Sequence, residues 1–191
     1  MKYYIIFGPP GAGKGTQAAP LAKRYNLKHI STGELLRSEI AEGSELGRKA
    51  KALIEAGELV PDEVVEGMIA QAFGKYRDVD GFLLDGFPRT LQQAMDLEEM
   101  LEARDEEVTG VISLMIPDET VKERIAHRAR IEGREDDAKE EVVANRIATY
   151  HRQTEPLIAF YSEKGKYHEV ESVGTIAQVG ENIRALVDSL A

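Results

Sequence analysis

Residues 8–16 read GPPGAGKGT and follow directly on the apolar run YYIIF at residues 3–7. A strand, a glycine-rich loop and a helix in this order bind phosphate, because backbone N–H groups point at its oxygens and the helix adds its positive end. The strict motif ends in Gly-Lys followed by Ser or Thr, whereas here Gly15 takes the hydroxyl position and Thr16 comes one residue later. The other positions match, so the stretch predicts a nucleotide-phosphate site with Lys14 as its mobile charge.

Short apolar runs alternate with longer helical patterns along the rest of the chain, which indicates βαβ units around a parallel sheet. The runs lack strict alternation, as expected for strands covered on both faces. The predicted strands are Tyr3–Phe7, Lys28–Ile30, Phe82–Leu84, Gly110–Ile116 and Tyr167–Val170. The predicted helices cover about 13–25, 33–41, 44–55, 61–73, 91–102, 119–129, 140–164 and 176–190. Residues 30–60 hold two helical patterns with no strand between them, which predicts a helical subdomain inserted on the sheet.

Composition excludes several classes of partner. The 34 acidic and 24 basic residues leave a net charge of −10, which argues against nucleic acid or an anionic membrane as the main partner. Cysteine is absent, so disulfides and thiolate zinc sites are excluded. The apolar run at residues 3–7 is too short for a signal peptide, and no stretch approaches the ~18 apolar residues of a membrane span. We therefore expect a cytoplasmic protein.

A candidate metal ligand stands at the end of the predicted third strand. Phe82–Leu84 is apolar and Asp85 follows it, so the carboxylate is expected beside the phosphate loop at the carboxyl edge of the sheet. Mg²⁺ keeps much of its hydration shell in proteins, so Asp85 is predicted to hold it through water. The alternative is a carboxylate that caps a turn, which the following Gly86 would also allow.

Three separated segments carry a resemblance to a known family: GPPGAGKGTQ at 8–17, STGELLR at 31–37 and GFLLDGFPRT at 81–90. Together they resemble the adenylate kinase family of nucleoside monophosphate kinases, and the similarity extends over essentially the whole chain. It implies an α/β fold of the P-loop NTPase type, with a parallel five-stranded sheet flanked by helices. It also implies reversible, Mg²⁺-dependent transfer of the terminal phosphoryl group of ATP to AMP, giving two ADP, by a monomer.

The resemblance further divides the chain and assigns roles to residues. The implied units are a core (1–29, 61–123 and 137–191), an NMP-binding subdomain (30–60) and a short LID (124–136) without zinc. The implied ATP-binding residues are Gly11, Ala12, Gly13, Lys14, Gly15, Thr16, Arg124, Arg128 and Gly174. The implied AMP-binding residues are Thr32, Arg37, Glu58, Leu59, Val60, Gly86, Phe87, Pro88, Arg89, Gln93, Arg134 and Arg146. The implied catalytic residues are Lys14, Arg89, Arg124, Arg128, Arg134 and Arg146.

Two of these assignments depart from the family pattern. Glu58 stands where the family often has Lys, which a backbone contact with AMP tolerates and a side-chain charge role would not. The spacing from Arg134 to Arg146 is one residue longer than the family suggests, although the TEPLIAFY segment at 154–161 is intact behind it. Gln93 is expected to read the adenine edge.

The region between residues 122 and 134 carries five basic residues against two acidic ones, a local charge of +3. Arg124 and Arg128 are four apart and share a helix face, whereas Arg130 points elsewhere. Taken singly, each arginine is typical of a solvated helix surface. The resemblance implies instead that the region is a LID that closes over phosphates. An ionised monophosphate acceptor needs no general base, so the four histidines are interpreted as structural or surface residues.

Two other functions remain open at this point. A UMP/CMP kinase shares the phosphate loop, the short LID and the arginines, but Thr32, Thr90 and Gln93 favour AMP as the acceptor. A regulatory P-loop ATPase or nucleotide-binding module would bind ATP without phosphorylating a nucleotide. The arginine set argues against that class, since buried unpaired cations are costly to retain without a ligand.

Overall fold

A computed structural model describes residues 1–190, apart from the side chain of residue 136. The strands are β1 (Lys2–Phe7), β2 (Leu27–Ser31), β3 (Gly81–Asp85), β4 (Gly110–Met115) and β5 (Tyr167–Glu171). The helices are α1 (Lys14–Arg24), α2 (Thr32–Glu42), α3 (Glu45–Ala56), α4 (Asp62–Lys75), α5 (Leu91–Glu102), α6 (Asp118–Glu132), α7 (Glu140–Thr149), α8 (Leu157–Glu163) and α9 (Ile176–Leu190). A 3₁₀ turn (Glu135–Asp137) precedes α7, and a π-helical turn (Tyr150–Thr154) follows it.

The five strands form one parallel sheet in the order β2-β3-β1-β4-β5. Alternate residues of β1 enter different core clusters, with Ile5 packing on one side of the sheet and Ile6 on the other. Both faces are therefore covered by helices, as the unalternating apolar runs predict. The predicted α/β fold with a parallel five-stranded sheet is confirmed.

The strand order places the phosphate loop at a crevice. The connection after β1 leads towards the β2 edge of the sheet, whereas the connections after β3 and β4 lead towards the β5 edge, and ligands of open α/β sheets bind at the carboxyl ends of strands near such a switch point. The loop that follows β1 and the carboxylate that ends β3 meet at this edge. The fold thus positions Lys14 and Asp85 beside each other.

The helical pair α2–α3 stands over the same edge of the sheet. Ser31 and Ser44 cap the two helices by accepting hydrogen bonds from backbone N–H groups. Gly43 and Gly57 end them in left-handed conformations with φ of 67° and 76°. The helix α3 also packs against the 3₁₀ turn and α7. The division into a core, an NMP-binding subdomain and a LID remains a prediction.

One helix prediction is wrong. The single helix expected over 140–164 is divided into α7, the π-helical turn and α8. Pro156 lacks a backbone N–H and stands at the start of α8, where no such donor is needed. The helix α6 is longer than expected, because it continues to Glu132 and ends at Gly133 in a left-handed conformation. Among residues 1–190, none of the helices combines the length and apolarity that crossing a bilayer requires.

Candidate active site

A cavity of about 1110 Å³ opens at the carboxyl ends of the strands. A site for one drug-sized ligand usually encloses about 300–1,000 Å³, so this cavity lies just above the usual range for a single ligand. Its wall combines the phosphate loop, α2, the 57–60 turn, the segment after β3, α6, α7 and the loop after β5. Nearly all predicted site residues line it. The exceptions are Ala12 and Phe87, which are buried in the core.

The phosphate loop depends on glycine at positions where a side chain would not fit. Gly8 and Gly11 have positive φ, and a Cβ on either would lie 2.8 Å from a neighbouring atom of β4 or α6. Lys14 begins α1, and its Nζ donates to the carbonyl oxygens of Gly8 at 2.9 Å and Pro9 at 3.0 Å. Burial lowers the pKa of Lys14 to about 7. The lysine therefore donates to carbonyl groups of its own loop, and an anion bound there would favour its charged form.

Asp85 lies at the end of β3, 7% exposed, and faces the first turn of α1. A Cβ on Gly15 would lie 3.9 Å from its Oδ2, and Nε2 of His29 lies 3.2 Å from the same oxygen. Among the side chains that the structure describes, no group of three metal-ligating residues occurs. A single carboxylate fits Mg²⁺, which takes most of its ligands from water and phosphate, and does not fit zinc.

The segment after β3 forms a tight group with α2. Thr32 Oγ1 donates to the carbonyl of Gly86 at 3.0 Å, and Arg89 Nε donates to the same carbonyl at 2.8 Å. Gly86 has φ of 83°, and a Cβ there would lie 2.7 Å from Thr32 Oγ1. Burial lowers the pKa of Arg89, while Asp85 opposes the shift. Thr154, in the π-helical turn, donates to the carbonyl of Arg89 at 2.6 Å and holds this segment from behind.

Three of the predicted phosphate-binding arginines meet at one carboxylate. Asp137 has a fully buried side chain, and its Oδ2 lies 2.8 Å from Nε and 2.7 Å from an Nη of Arg128. Arg134 Nε lies 3.5 Å from the same oxygen, and Arg146 binds the other oxygen. Guanidinium groups bind carboxylate and phosphate with the same planar fork. The arginines thus hold an anion of the protein at the place where phosphate is expected.

Arg124 lies apart from this group. Its guanidinium donates to the carbonyl of Ser172 at 2.8 Å and to the carbonyl of Ala12 at 3.3 Å. It therefore ties α6 to the phosphate loop and to the loop after β5. Arg130, which the helical spacing places on another face, also lines the cavity.

Several contacts of the site residues could not be predicted from the sequence. His29 against Asp85, Asp62 against Gln93 and Thr154 against Arg89 join residues far apart in the chain. Asp137 lies in the GREDD stretch at 133–137, close to Arg134 in the sequence, so this ion pair could have been predicted. Nothing in the spacing pointed to Arg128 and Arg146 as its further partners.

A P-loop beside a strand-end carboxylate, with arginines lining the same large cavity, is the arrangement of P-loop phosphotransferases. The sequence model of the adenylate kinase family matches residues 6–166. Curated proteins named adenylate kinase are 41% identical in Bacteroides fragilis (97% of this chain and 98% of the relative) and 42% in Flavobacterium psychrophilum (97% and 98%). A third, from a Synechococcus strain, is 45% identical over 98% of this chain and 97% of its own length.

The chain belongs to the adenylate kinase family. Its expected function as an adenylate kinase, a phosphotransferase, is confirmed, and the UMP/CMP kinase alternative is not favoured.

Proposed function

We propose that the chain transfers the terminal phosphoryl group of magnesium-bound ATP reversibly to AMP, giving two ADP. The observation that carries the proposal is a large cavity whose wall combines the phosphate loop, the Thr32–Gly86–Arg89 group and the arginines that surround Asp137. Two nucleotides placed with their phosphates towards the arginines would bring the donor and acceptor groups together.

At the donor end, the N–H groups of residues 11–16 and the start of α1 bind the ATP phosphates. Lys14 turns from its carbonyl partners to the terminal phosphates and becomes fully charged there. Asp85 holds Mg²⁺ through water, with His29 fixing one carboxylate oxygen. When bound, Mg²⁺ neutralises charge on the phosphates. Arg124 and Gly174 border the space left for the donor base.

At the acceptor end, Arg37 and Arg89 bind the AMP phosphate, with Thr32 and Gly86 beside them. The backbone of Glu58–Val60 and the side chain of Gln93 contact the base. This assignment gives Glu58 a backbone role, and its side chain instead accepts a hydrogen bond from Asn145 at 3.0 Å. The loss of the family's usual lysine is therefore compatible with the proposal.

Transfer itself needs positioning and charge neutralisation rather than a base. We expect Arg128, Arg134 and Arg146 to exchange Asp137 for the phosphates when both nucleotides bind, as residues 30–60 and 124–136 close over them. Closure excludes water, which would otherwise accept the phosphoryl group. We further propose that the chain acts as a cytoplasmic monomer, with no nucleic acid or membrane partner.

The test measures ADP formed from ATP with AMP, UMP or CMP as the acceptor. AMP should be the fastest acceptor, and ATP should not be consumed without one. Arg89→Ala should lower kcat by about 100-fold or more while the protein stays folded, since a buried charge on the reacting phosphate is lost. Arg77→Ala, at an exposed arginine, is the matched control and should change nothing. Faster turnover with UMP or CMP, or an active Arg89 variant, would refute the proposal.

A further inference from the structure

Both ends of the Gln93 side-chain amide are occupied by protein partners. Gln93 is 2% exposed and lies in the first turn of α5, where Thr90 Oγ1 accepts from its backbone N–H at 3.2 Å. Its Nε2 donates to Oδ1 of Asp62 at 2.7 Å. Its Oε1 accepts from the backbone N–H of Arg89 at 2.7 Å. Gln93 also lines the cavity, so the two hydrogen bonds hold its side chain at the wall of the site.

These partners decide which way the amide faces. A carboxylate only accepts hydrogen bonds and a backbone N–H only donates, so the nitrogen must face Asp62 and the oxygen must face Arg89. Reversing the amide would set oxygen against carboxylate and N–H against N–H. Gln93 is thus fixed in one orientation by Asp62 on one side and by Arg89 on the other.

We infer that Asp62 is a positioning residue that makes the acceptor site select adenine over purines with the reversed hydrogen-bond pattern. The inference rests on the proposed role of Gln93. With these two hydrogen bonds made, the amide retains one N–H and one oxygen lone pair, which the inferred contact with the base would use. Adenine presents an acceptor at N1 and a donor at its amino group, which this pair matches. Hypoxanthine presents a donor at N1 and an acceptor at O6, which matches only a reversed amide.

Asp62 is itself held in position. It is the first residue of α4, where the positive end of the helix favours a carboxylate. Thr90 Oγ1 lies 3.3 Å and 3.4 Å from its two oxygens. Asp62 also follows Glu58–Val60 and Pro61 directly, so the segment proposed to touch the base and the group that orients Gln93 are covalently connected. Thr90, noted in the sequence as favouring AMP, thereby acts on the base through Asp62 and Gln93.

The experiment compares AMP with inosine monophosphate as the acceptor in the full-length protein. Asp62→Asn keeps the shape but replaces the acceptor-only carboxylate with a group that can donate or accept. We expect the AMP-to-IMP ratio of kcat/KM to fall by about tenfold, roughly the equilibrium worth of one directed hydrogen bond. The loss should appear as a higher KM for AMP, with the KM for ATP unchanged. Asp62→Glu, which keeps the carboxylate, should restore much of the preference.

Glu63→Gln is the matched control, because Glu63 is an exposed acidic residue in the same turn of α4. It should leave the ratio unchanged and so separate the contact with Gln93 from the general effect of charge at this helix end. If Asp62→Asn is unstable, the AMP-to-IMP ratio of equilibrium binding constants is measured instead. It should fall in Asp62→Ala and be largely kept in Asp62→Glu.

A ratio that stays at the wild-type value in Asp62→Asn overturns the inference, even if the KM for AMP rises, since the residue would then act only structurally. The proposed function fails separately, when the wild-type protein does not phosphorylate AMP. In that case the inference fails with it.

Discussion

Removing the charge of Asp137 tests most directly whether this carboxylate neutralises the arginines of the site. Its carboxylate is fully buried and is approached by Arg128, Arg134 and Arg146. Asp137→Asn keeps the size of the side chain and removes its charge. The three guanidinium groups would then face one another around a neutral amide whose N–H₂ cannot accept from them.

The expected cost follows from these contacts. Two nitrogens of Arg128 lie within 2.8 Å of Oδ2 and Arg146 holds the other oxygen, and hydrogen bonds to charged groups contribute about 1.5–3 kcal/mol each. Breaking a buried pair by removing one partner costs about 3–5 kcal/mol. The arginine side chains keep 15–26% exposure and can partly rehydrate, so the low end applies. We expect a loss of about 3 kcal/mol, which lowers Tm by roughly 6–12 °C in a domain of this size.

The assay is reversible unfolding of the nucleotide-free protein by heat and by urea. Asp78→Asn, at an exposed aspartate, is the matched control and should change the unfolding free energy by less than about 0.5 kcal/mol. A free energy of unfolding for Asp137→Asn within about 1 kcal/mol of the wild type would refute the reasoning, because it would mean that the arginines do not depend on this carboxylate.

Two further outcomes follow from the site. Because burial lowers the pKa of Lys14 from its ordinary 10.5 to about 7, ATP binding at about pH 8 should take up nearly one proton, and buffers of different ionisation enthalpy should reveal it by calorimetry. Without nucleotide and between about pH 7 and 10.5, Lys14 binds fewer protons in the folded protein than in the unfolded chain. The free energy of unfolding should therefore rise with pH across this range, and Lys14→Met should abolish both the proton uptake and this pH dependence. Gly57→Ala would place a Cβ 2.8 Å from the carbonyl of Val142 and 2.9 Å from Arg146, and should cost about 2 kcal/mol in urea unfolding and reduce kcat/KM. Gly43→Ala, also at positive φ but in open space, should cost only the backbone strain of about 1 kcal/mol, and equal losses in the two variants would contradict the clash.

The sheet could be predicted because its signals are local. The three central strands β1, β3 and β4 are short apolar runs, whereas the edge strands β2 and β5 are more polar, and the loop after β1 has a composition that few other structures require. The break in the helix at 150–154 could not be predicted in the same way, since π-helical turns are rare and occur mostly as single turns inside helices. Its stabilising contact, from Thr154 to the carbonyl of Arg89, joins two segments that only the fold brings together.

The residues of the site also differ in how far they could be predicted from the sequence. Lys14, Asp85 and Arg89 lie in sequence motifs, so their roles could be predicted from the residues on either side of them. Their partners come from elsewhere in the chain, as His29 does for Asp85. Helical spacing predicted that Arg124 and Arg128 share a helix face, and the resemblance implied that both bind phosphates, but neither could show that the two arginines contact different groups of the protein.

The arginines also show how a charge argument changes once the fold is known. In the sequence, a basic patch in a protein of net charge −10 indicates a missing anion, because buried unpaired cations are costly to retain. In the structure Asp137 supplies an anion, so the cluster is neutralised in part without any ligand. Retention of the arginines therefore does not by itself distinguish an active kinase from an inactive relative. That distinction rests on features other than the arginines: a phosphate loop whose lysine donates to the carbonyl groups of its own loop, and a cavity of about 1110 Å³ at the carboxyl ends of the strands.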